Sequence, residues 1–135
     1  MKSVDTNVLA RFFIDDADDP QSLTQRPTAT AAMSDRVFVS VTVLLEFEWV
    51  MRGFYEMPRK SISKIFRAML GIEHVTIENR GAVIAAADAF DARFDFADAL
   101  HVALSATASS FVTFDQKLAK RARAVNLKVP VELLR

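Results

Sequence analysis

Short runs of β-branched and apolar residues alternate with helix-length segments along the whole chain, and this alternation restricts the possible folds most strongly. The runs at residues 1–4, 37–39, 75–77, 111–114 and 129–133 predict five strands. Strands that alternate with helices indicate a parallel sheet covered by helices on both faces. Pro130 restricts the fifth strand to a sheet edge, because proline lacks the N–H that a central strand donates. The sequence therefore predicts an α/β protein, and its 135 residues predict a single domain, residues 1–135.

The charge balance and the cysteine content exclude several classes of protein. Seventeen basic residues offset seventeen acidic ones, so the chain lacks the positive excess of a general nucleic-acid binder. A clustered acidic site can still mask a basic rim, so nucleic acid stays open as a ligand. The absence of cysteine excludes disulfides, thiolate nucleophiles and zinc–thiolate sites. No apolar run has the length of a membrane span or the form of a secretory signal, so we expect a cytoplasmic protein.

One acidic residue, Asp98, lies inside the apolar stretch FDFADALHVALSA, residues 94–106. No Lys or Arg stands three or four residues away, so an ion pair along the helix does not explain it. Two interpretations stay open from these residues alone: Asp95 and Asp98 are the N-cap and N3 residues of a helix, or Asp98 belongs to a functional site. His101 is a candidate partner of Asp98, although a buried histidine satisfied by hydrogen bonds is the commoner case.

The helix predicted from Ser40 to about Arg52 carries two glutamates with different neighbours. Glu48 has Arg52 four residues further on, which predicts a structural ion pair on the surface. Glu46 has no basic residue at helical spacing and is predicted to face an apolar surround. Because such an acid must be paired, protonated or bound to a cation, Glu46 is a candidate for the same site as Asp98.

Two further acids follow predicted strands. Asp5 comes after the first strand, where Thr6 is a possible helix cap, and Asp115 comes after the fourth, where it could merely cap the next helix. Ligands of parallel α/β sheets bind outside the carboxyl ends of the strands, where these acids are predicted to lie. Four carboxylates in one cleft repel one another unless cations neutralise them. Oxygen-only ligation favours Mg²⁺, or Mn²⁺, over zinc.

Other charged stretches have simpler explanations. The acids at residues 15, 16, 18 and 19 precede Pro20, and this pattern is more typical of a solvated turn than of a metal cluster. The following segment, to Met33, contains Pro27 and predicts a helix in pieces. A helix predicted to end at Gly71 has one basic side, which indicates a solvated face that can also contact phosphates, and His74 is predicted to be on the surface.

Four motifs, in their order and spacing, resemble those of a PIN domain of the VapC toxin type: DTNVLAR at Asp5, VSVTVLLEFEWVMR around Glu46, FADALHVA at Asp98 and TFDQKLA at Asp115. The resemblance implies a PIN-like three-layer α/β/α sandwich with a central parallel sheet of about five strands. These four acids fall on the catalytic and metal-binding positions of the family. Polar positions that support the metal site match Thr6, Asn7 and Thr113.

The resemblance also implies an activity and partners. These are Mg²⁺-dependent endoribonuclease activity, with phosphodiester hydrolysis by metal-activated water, and control by a cognate antitoxin in a toxin–antitoxin pair that includes a toxin homodimer. The alternative is a catalytically silent PIN fold that acts as a binding module in a protein or RNA complex. A Rossmann nucleotide site is disfavoured because no glycine-rich turn follows the first strand. A receiver or phosphatase domain is disfavoured because no second acid follows Asp5 closely.

Overall fold

The structure is a computed structural model that describes residues Met1–Arg135. Seven helices and five strands alternate along the chain, and the prediction of five strands is confirmed. In chain order the elements are β1 Lys2–Ser3, α1 Thr6–Phe13, α2 Pro20–Met33, β2 Val37–Val39, α3 Val41–Gly53, α4 Arg59–Leu70, β3 Val75–Ile77, α5 Arg80–Asp91, α6 Phe96–Ala103, β4 Phe111–Thr113, α7 Gln116–Ala124 and β5 Val131–Leu133.

The chain divides into two compact units, Met1–Glu78 and Asn79–Arg135. The strands of each unit pair in parallel, as one sheet ordered β1-β2-β3 and one ordered β4-β5. The predicted α/β class with parallel strands is therefore confirmed, and the single domain over residues 1–135 stays a prediction. None of the helices is long and apolar enough to cross a membrane.

In the first unit, the central strand β2 lies between two parallel neighbours. Its residue Val37 is in register with Lys2 of β1 and with Val75 of β3. Both Val37 and Val39 are buried, since β2 packs its side chains under helices. Phe47 of α3 is also fully buried, and its ring lies 6.2 Å, centroid to centroid, from that of Phe13 in α1. These apolar contacts pack α1 against α3.

The helix α2 is continuous from Pro20–Met33, so the prediction of a helix in pieces is wrong. Pro20 occupies the first helical position, where its missing N–H costs nothing, and the Asp19 carboxylate caps the helix. The helix continues through Pro27 because it buries one side in the protein. The acidic stretch before Pro20 is a solvent-exposed turn, as predicted, and Asp15 in it forms an ion pair of 2.7 Å with Arg26.

Glu48 lies on the inner side of α3, where its side chain is only 2 % exposed. Its carboxylate accepts a hydrogen bond of 2.9 Å from Nε of Arg52, whose side chain is 53 % exposed. The predicted pair is confirmed, but its predicted position on the surface is wrong. Leu44 and Met51, one turn to either side of Glu48, are also buried, so this side of α3 is part of the core.

In the second unit, α5 and α6 pack together through small side chains. Phe90 of α5 meets Phe96 of α6 edge to face, with ring centroids 6.0 Å apart. The strand β5 pairs only with β4, which confirms its predicted position at an edge. The alanines of α5 bury little volume each and so allow close approach: Ala82, Ala86, Ala87 and Ala89.

Candidate active site

The first part of the candidate site lies where β1 and β2 end. Asp5 follows β1 and caps α1, and its Oδ1 accepts hydrogen bonds from the backbone N–H groups of Asn7 (3.0 Å) and Val8 (3.4 Å). The prediction that Thr6 caps this helix is therefore wrong. Ser40 follows β2 and caps α3. Because β1 and β2 are neighbouring parallel strands, both helices begin at the same sheet edge.

Thr6 joins these two helix starts. It is the first residue of α1 and only 4 % exposed, and its hydroxyl donates a hydrogen bond to Oε1 of Glu46 in the second turn of α3. Glu46 is exposed, so the prediction of an apolar surround is wrong: this side of α3 faces solvent. The second carboxylate oxygen, Oε2, makes no hydrogen bond to the protein. Glu46 is thus held at one oxygen and open at the other.

Glu78 is an acid of this edge that the sequence analysis missed. It follows β3, and its Oε1 accepts a hydrogen bond of 2.9 Å from the backbone N–H of Val41, the first residue of α3. The pattern that identified Asp5, an acid placed after a strand, also identifies Glu78. The contact supports the start of the helix that carries Glu46.

In the second unit, Asp95 caps helix α6, whereas the side chain of Asp98 takes no part in the cap. Oδ2 of Asp95 accepts a hydrogen bond of 3.0 Å from the backbone N–H of Asp98, so Asp95 is the predicted N-cap. The carboxylate of Asp98 returns no hydrogen bond to Asp95, and it forms no ion pair. Of the predicted capping box, the hydrogen bond to Asp95 is therefore present and the reciprocal one to Asp98 is absent. Asp98 lies half-buried with both carboxylate oxygens open.

The surroundings of Asp98 disfavour its ionised form. Burial raises the pKa of the Asp98 carboxyl above its usual range, and the negative charges of Asp95 and Asp115 raise it further. His101 acts in the opposite direction and lowers this pKa. His101 is exposed, so the interpretation as a buried core histidine is wrong. A cation bound near Asp98 would favour the ionised form and oppose the effect of the neighbouring acids.

Asp115 is held in the same way as Asp5. It follows β4 and caps α7, and its Oδ1 accepts hydrogen bonds from the backbone N–H groups of Lys117 (2.9 Å) and Leu118 (3.1 Å). Its own N–H donates to Oγ1 of Thr113 at 2.9 Å, so Thr113 fixes the turn that presents the carboxylate. The capping role foreseen for Asp115 is confirmed. Because both caps use Oδ1, Oδ2 of each residue stays open, and capping leaves room for a ligand.

Asp95→Asn should lower the pKa of Asp98 while leaving the helix capped. Asparagine still accepts the hydrogen bond from the Asp98 N–H, but it removes a negative charge that opposes ionisation. Part of the elevation should persist, because burial is its largest cause. The measurement is an NMR titration of the Asp98 carboxyl carbon without divalent cations. An unchanged or higher pKa in the variant would contradict this account of the electrostatics.

The open oxygens define the ligand chemistry that the acids offer. All are hard carboxylate oxygens, which fit Mg²⁺ or Mn²⁺ and do not suit a soft metal. The structure contains no group of three or more histidine, cysteine or acidic side chains that could hold a metal ion. The four-acid metal site and the supporting role of Thr6, Asn7 and Thr113 in it stay predictions.

Comparison with known proteins identifies the family. The sequence matches the PIN domain family over residues 3–124, which is most of the chain. The chain belongs to the PIN domain family. Its alternating helices and parallel strands fit the PIN-like α/β/α fold. PIN domains are generally nucleases, which supports a hydrolase that acts on nucleic acid. Comparison with curated proteins and with solved structures gave no significant match.

Proposed function

We propose that this PIN domain is a Mg²⁺-dependent endoribonuclease and the toxin of a toxin–antitoxin pair. One observation carries the proposal: each of the four acids at motif positions keeps at least one carboxylate oxygen free of protein hydrogen bonds. Buried polar groups normally find a partner within the protein, so the open oxygens count most for Asp98, which is half-buried, whereas the other three acids are exposed. The acids concerned are Asp5, Glu46, Asp98 and Asp115.

The same four carboxylates would hold Mg²⁺, with Mn²⁺ as a substitute. When bound, the ion supplies Lewis-acid chemistry that activates water and neutralises charge on a scissile phosphodiester. The residues of the chain position the ligands. Asp5 and Asp115 lie at helix N-termini with one carboxylate oxygen each left open, and Thr6 orients Glu46. No side chain has to become a covalent nucleophile, in agreement with a chain that has no cysteine.

The finer assignment rests on the resemblance of the motifs to VapC-type toxins. It adds RNA as the substrate, a cognate antitoxin that covers the active-site groove, a toxin homodimer and a cytoplasmic location. The competing hypothesis is a PIN fold that binds RNA or protein without cleaving. All four acids are present, and this favours the enzyme over a silent module.

Expression of the chain without its partner should slow growth and fragment cellular RNA, because an unrestrained ribonuclease destroys RNA. Co-expression of the small protein encoded beside it should restore growth. The control is Asp98→Asn at matched expression, which should leave both growth and RNA intact. Normal growth and intact RNA at high expression of the unaltered chain would support the binding module instead.

A further inference from the structure

The outer face of α3 carries large aromatic side chains that the protein does not bury. Trp49 is 62 % exposed, and it lies three residues after Glu46, so both side chains share one helix face. Phe54, just past the end of this helix, is 72 % exposed. Exposed aromatic side chains that lie near each other commonly mark a binding surface. We call Trp49, Phe54 and Tyr55 the aromatic surface.

Local contacts hold two of the three rings of this aromatic surface in place. A Cβ built at Gly53 would lie 4.0 Å from Cε2 of Trp49, so the indole lies alongside Gly53, where no side chain covers it. The rings of Phe54 and Tyr55 meet edge to face, with centroids 4.9 Å apart and planes at 83°. The Tyr55 hydroxyl accepts a hydrogen bond of 3.1 Å from Nη1 of Arg11. The rings of Phe54 and Tyr55 are therefore positioned before any ligand arrives.

The helix α4, which follows the aromatic surface in the chain and packs against α3, is positively charged, although the chain as a whole is neutral. Its residues, Arg59–Leu70, include four basic residues and no acidic one. The basic residues of α4 all lie on its exposed side: Arg59, Lys60, Lys64 and Arg67. Aromatic rings among cations are the combination that proteins use for single-stranded nucleic acid, since rings stack on bases and cations attract phosphates. A partner protein with an apolar face would gain nothing from this charge.

We propose that the aromatic surface stacks unpaired bases of single-stranded RNA, with Trp49 as the main contact. Trp49 lies one helical turn from Glu46, so a strand engaged at Glu46 has its next bases beside the indole. A duplex keeps its bases stacked on one another and offers no free base faces, so the surface favours unpaired RNA. The inference rests on the proposed ribonuclease function and adds a residue of this chain, Trp49, that holds a base beside Glu46.

Binding can be measured directly, because Trp49 is the sole tryptophan of the chain. The protein is titrated in EDTA, so that no metal-dependent cleavage takes place, with three probes of equal length: a single-stranded oligouridylate, an RNA duplex and an abasic phosphodiester chain. Only the single strand should quench the tryptophan fluorescence strongly, because only it offers free bases. Equal quenching by the abasic chain would assign the binding to phosphates alone and overturn the proposal.

Variants test the ring itself, with affinity measured by anisotropy of a labelled oligouridylate. Trp49→Ala should weaken binding by about 5- to 150-fold, the range for loss of one stacked base. Trp49→Phe should retain most of the affinity because it keeps an aromatic face. Leu23→Ala, at another exposed apolar side chain of the first unit, is the matched control and should bind as the parent does. Thermal melts of all variants verify that each is folded.

Unchanged affinity in Trp49→Ala would overturn the proposal. The proposal would also be overturned if Trp49→Ala sedimented as a monomer, the parent sedimented as a dimer, and both bound RNA equally well. The aromatic surface would then be a contact between two copies of the chain. The measurements in EDTA do not depend on cleavage. If the parent binds RNA by stacking but cleaves none in Mg²⁺, the proposed nuclease activity is refuted and the stacking surface is not. If Trp49→Ala keeps both the parent's affinity and its cleavage, the stacking surface is refuted and the nuclease activity is not.

Discussion

Glu46→Gln should reduce Mg²⁺-dependent RNA cleavage by at least about 100-fold and leave the protein folded. Loss of residues that merely support a metal ligand costs about 10- to 100-fold, and loss of a ligand itself should reach or exceed the upper end. Stability should change little, because Glu46 is exposed and a glutamine oxygen still accepts the hydrogen bond from Thr6. The assay compares cleavage rates and urea unfolding on the same preparations.

Glu48→Gln, two residues further along the same helix, is the matched control with the opposite expectation. Glu48 is buried and bound to Arg52, so loss of its charge-assisted hydrogen bond should lower the free energy of unfolding by about 1–3 kcal/mol. Below its melting temperature the variant should cleave RNA at nearly the parent rate. Loss of cleavage in Glu48→Gln together with full activity in Glu46→Gln would show that the two glutamates have been assigned to the wrong roles.

Asp98→Asn should melt at or above the parent at neutral pH when no divalent cation is present. Burial and the charges of Asp95 and Asp115 raise the pKa of Asp98, so its ionised form is destabilising in the folded protein. The folded state then holds a proton at pH values where the unfolded chain has lost it. Parent stability should therefore fall as pH rises from the unfolded-chain pKa through the raised folded pKa, and the variant should lack this contribution.

Mg²⁺ should reverse the order of the two melting temperatures. A ligand that binds only the folded state raises stability as RT ln(1 + [L]/Kd), so the parent should gain and Asp98→Asn should gain much less. The titration runs to about 10 mM Mg²⁺, an excess even for a weak carboxylate site. Equal shifts in both proteins, or no shift in either, would assign Asp98 to the helix terminus alone. Lower stability of the metal-free variant would favour the same conclusion.

The strands could be predicted from sequence because alternation and β-branched runs are local patterns. The side of α3 that is buried could not, because apolar residues surround this helix on several sides and give no single stripe. Glu48 was therefore placed outside and Glu46 in an apolar surround, and both assignments were wrong. The continuous helix α2 was also missed, since local composition at Pro27 opposes a helix that packing in the folded protein maintains.

The acids of the candidate site could be selected from sequence by their positions after strands and by their lack of basic neighbours. The hydrogen-bond partners of these acids were harder to predict from the sequence. Thr6 and Glu46 are 40 positions apart, so no local spacing relates them, and only the family resemblance assigned Thr6 to the site. Whether a carboxylate caps a helix with one oxygen or with two is a matter of atomic geometry that no spacing encodes. That distinction lets Asp5 and Asp115 act as caps and keep an open Oδ2.

Analysis of RNA cleavage products with the purified protein tests the central claim most directly. Activated water as the nucleophile predicts cleavage that requires Mg²⁺ or Mn²⁺, incorporates oxygen from the solvent into the phosphate, forms no 2′,3′-cyclic phosphate and persists when the 2′-hydroxyl at the cleaved position is replaced by hydrogen. Asp98→Asn purified in parallel should give none of these products. Cleavage that proceeds in EDTA, produces cyclic phosphates or survives in Asp98→Asn would contradict the account, as would intact RNA at saturating Mg²⁺.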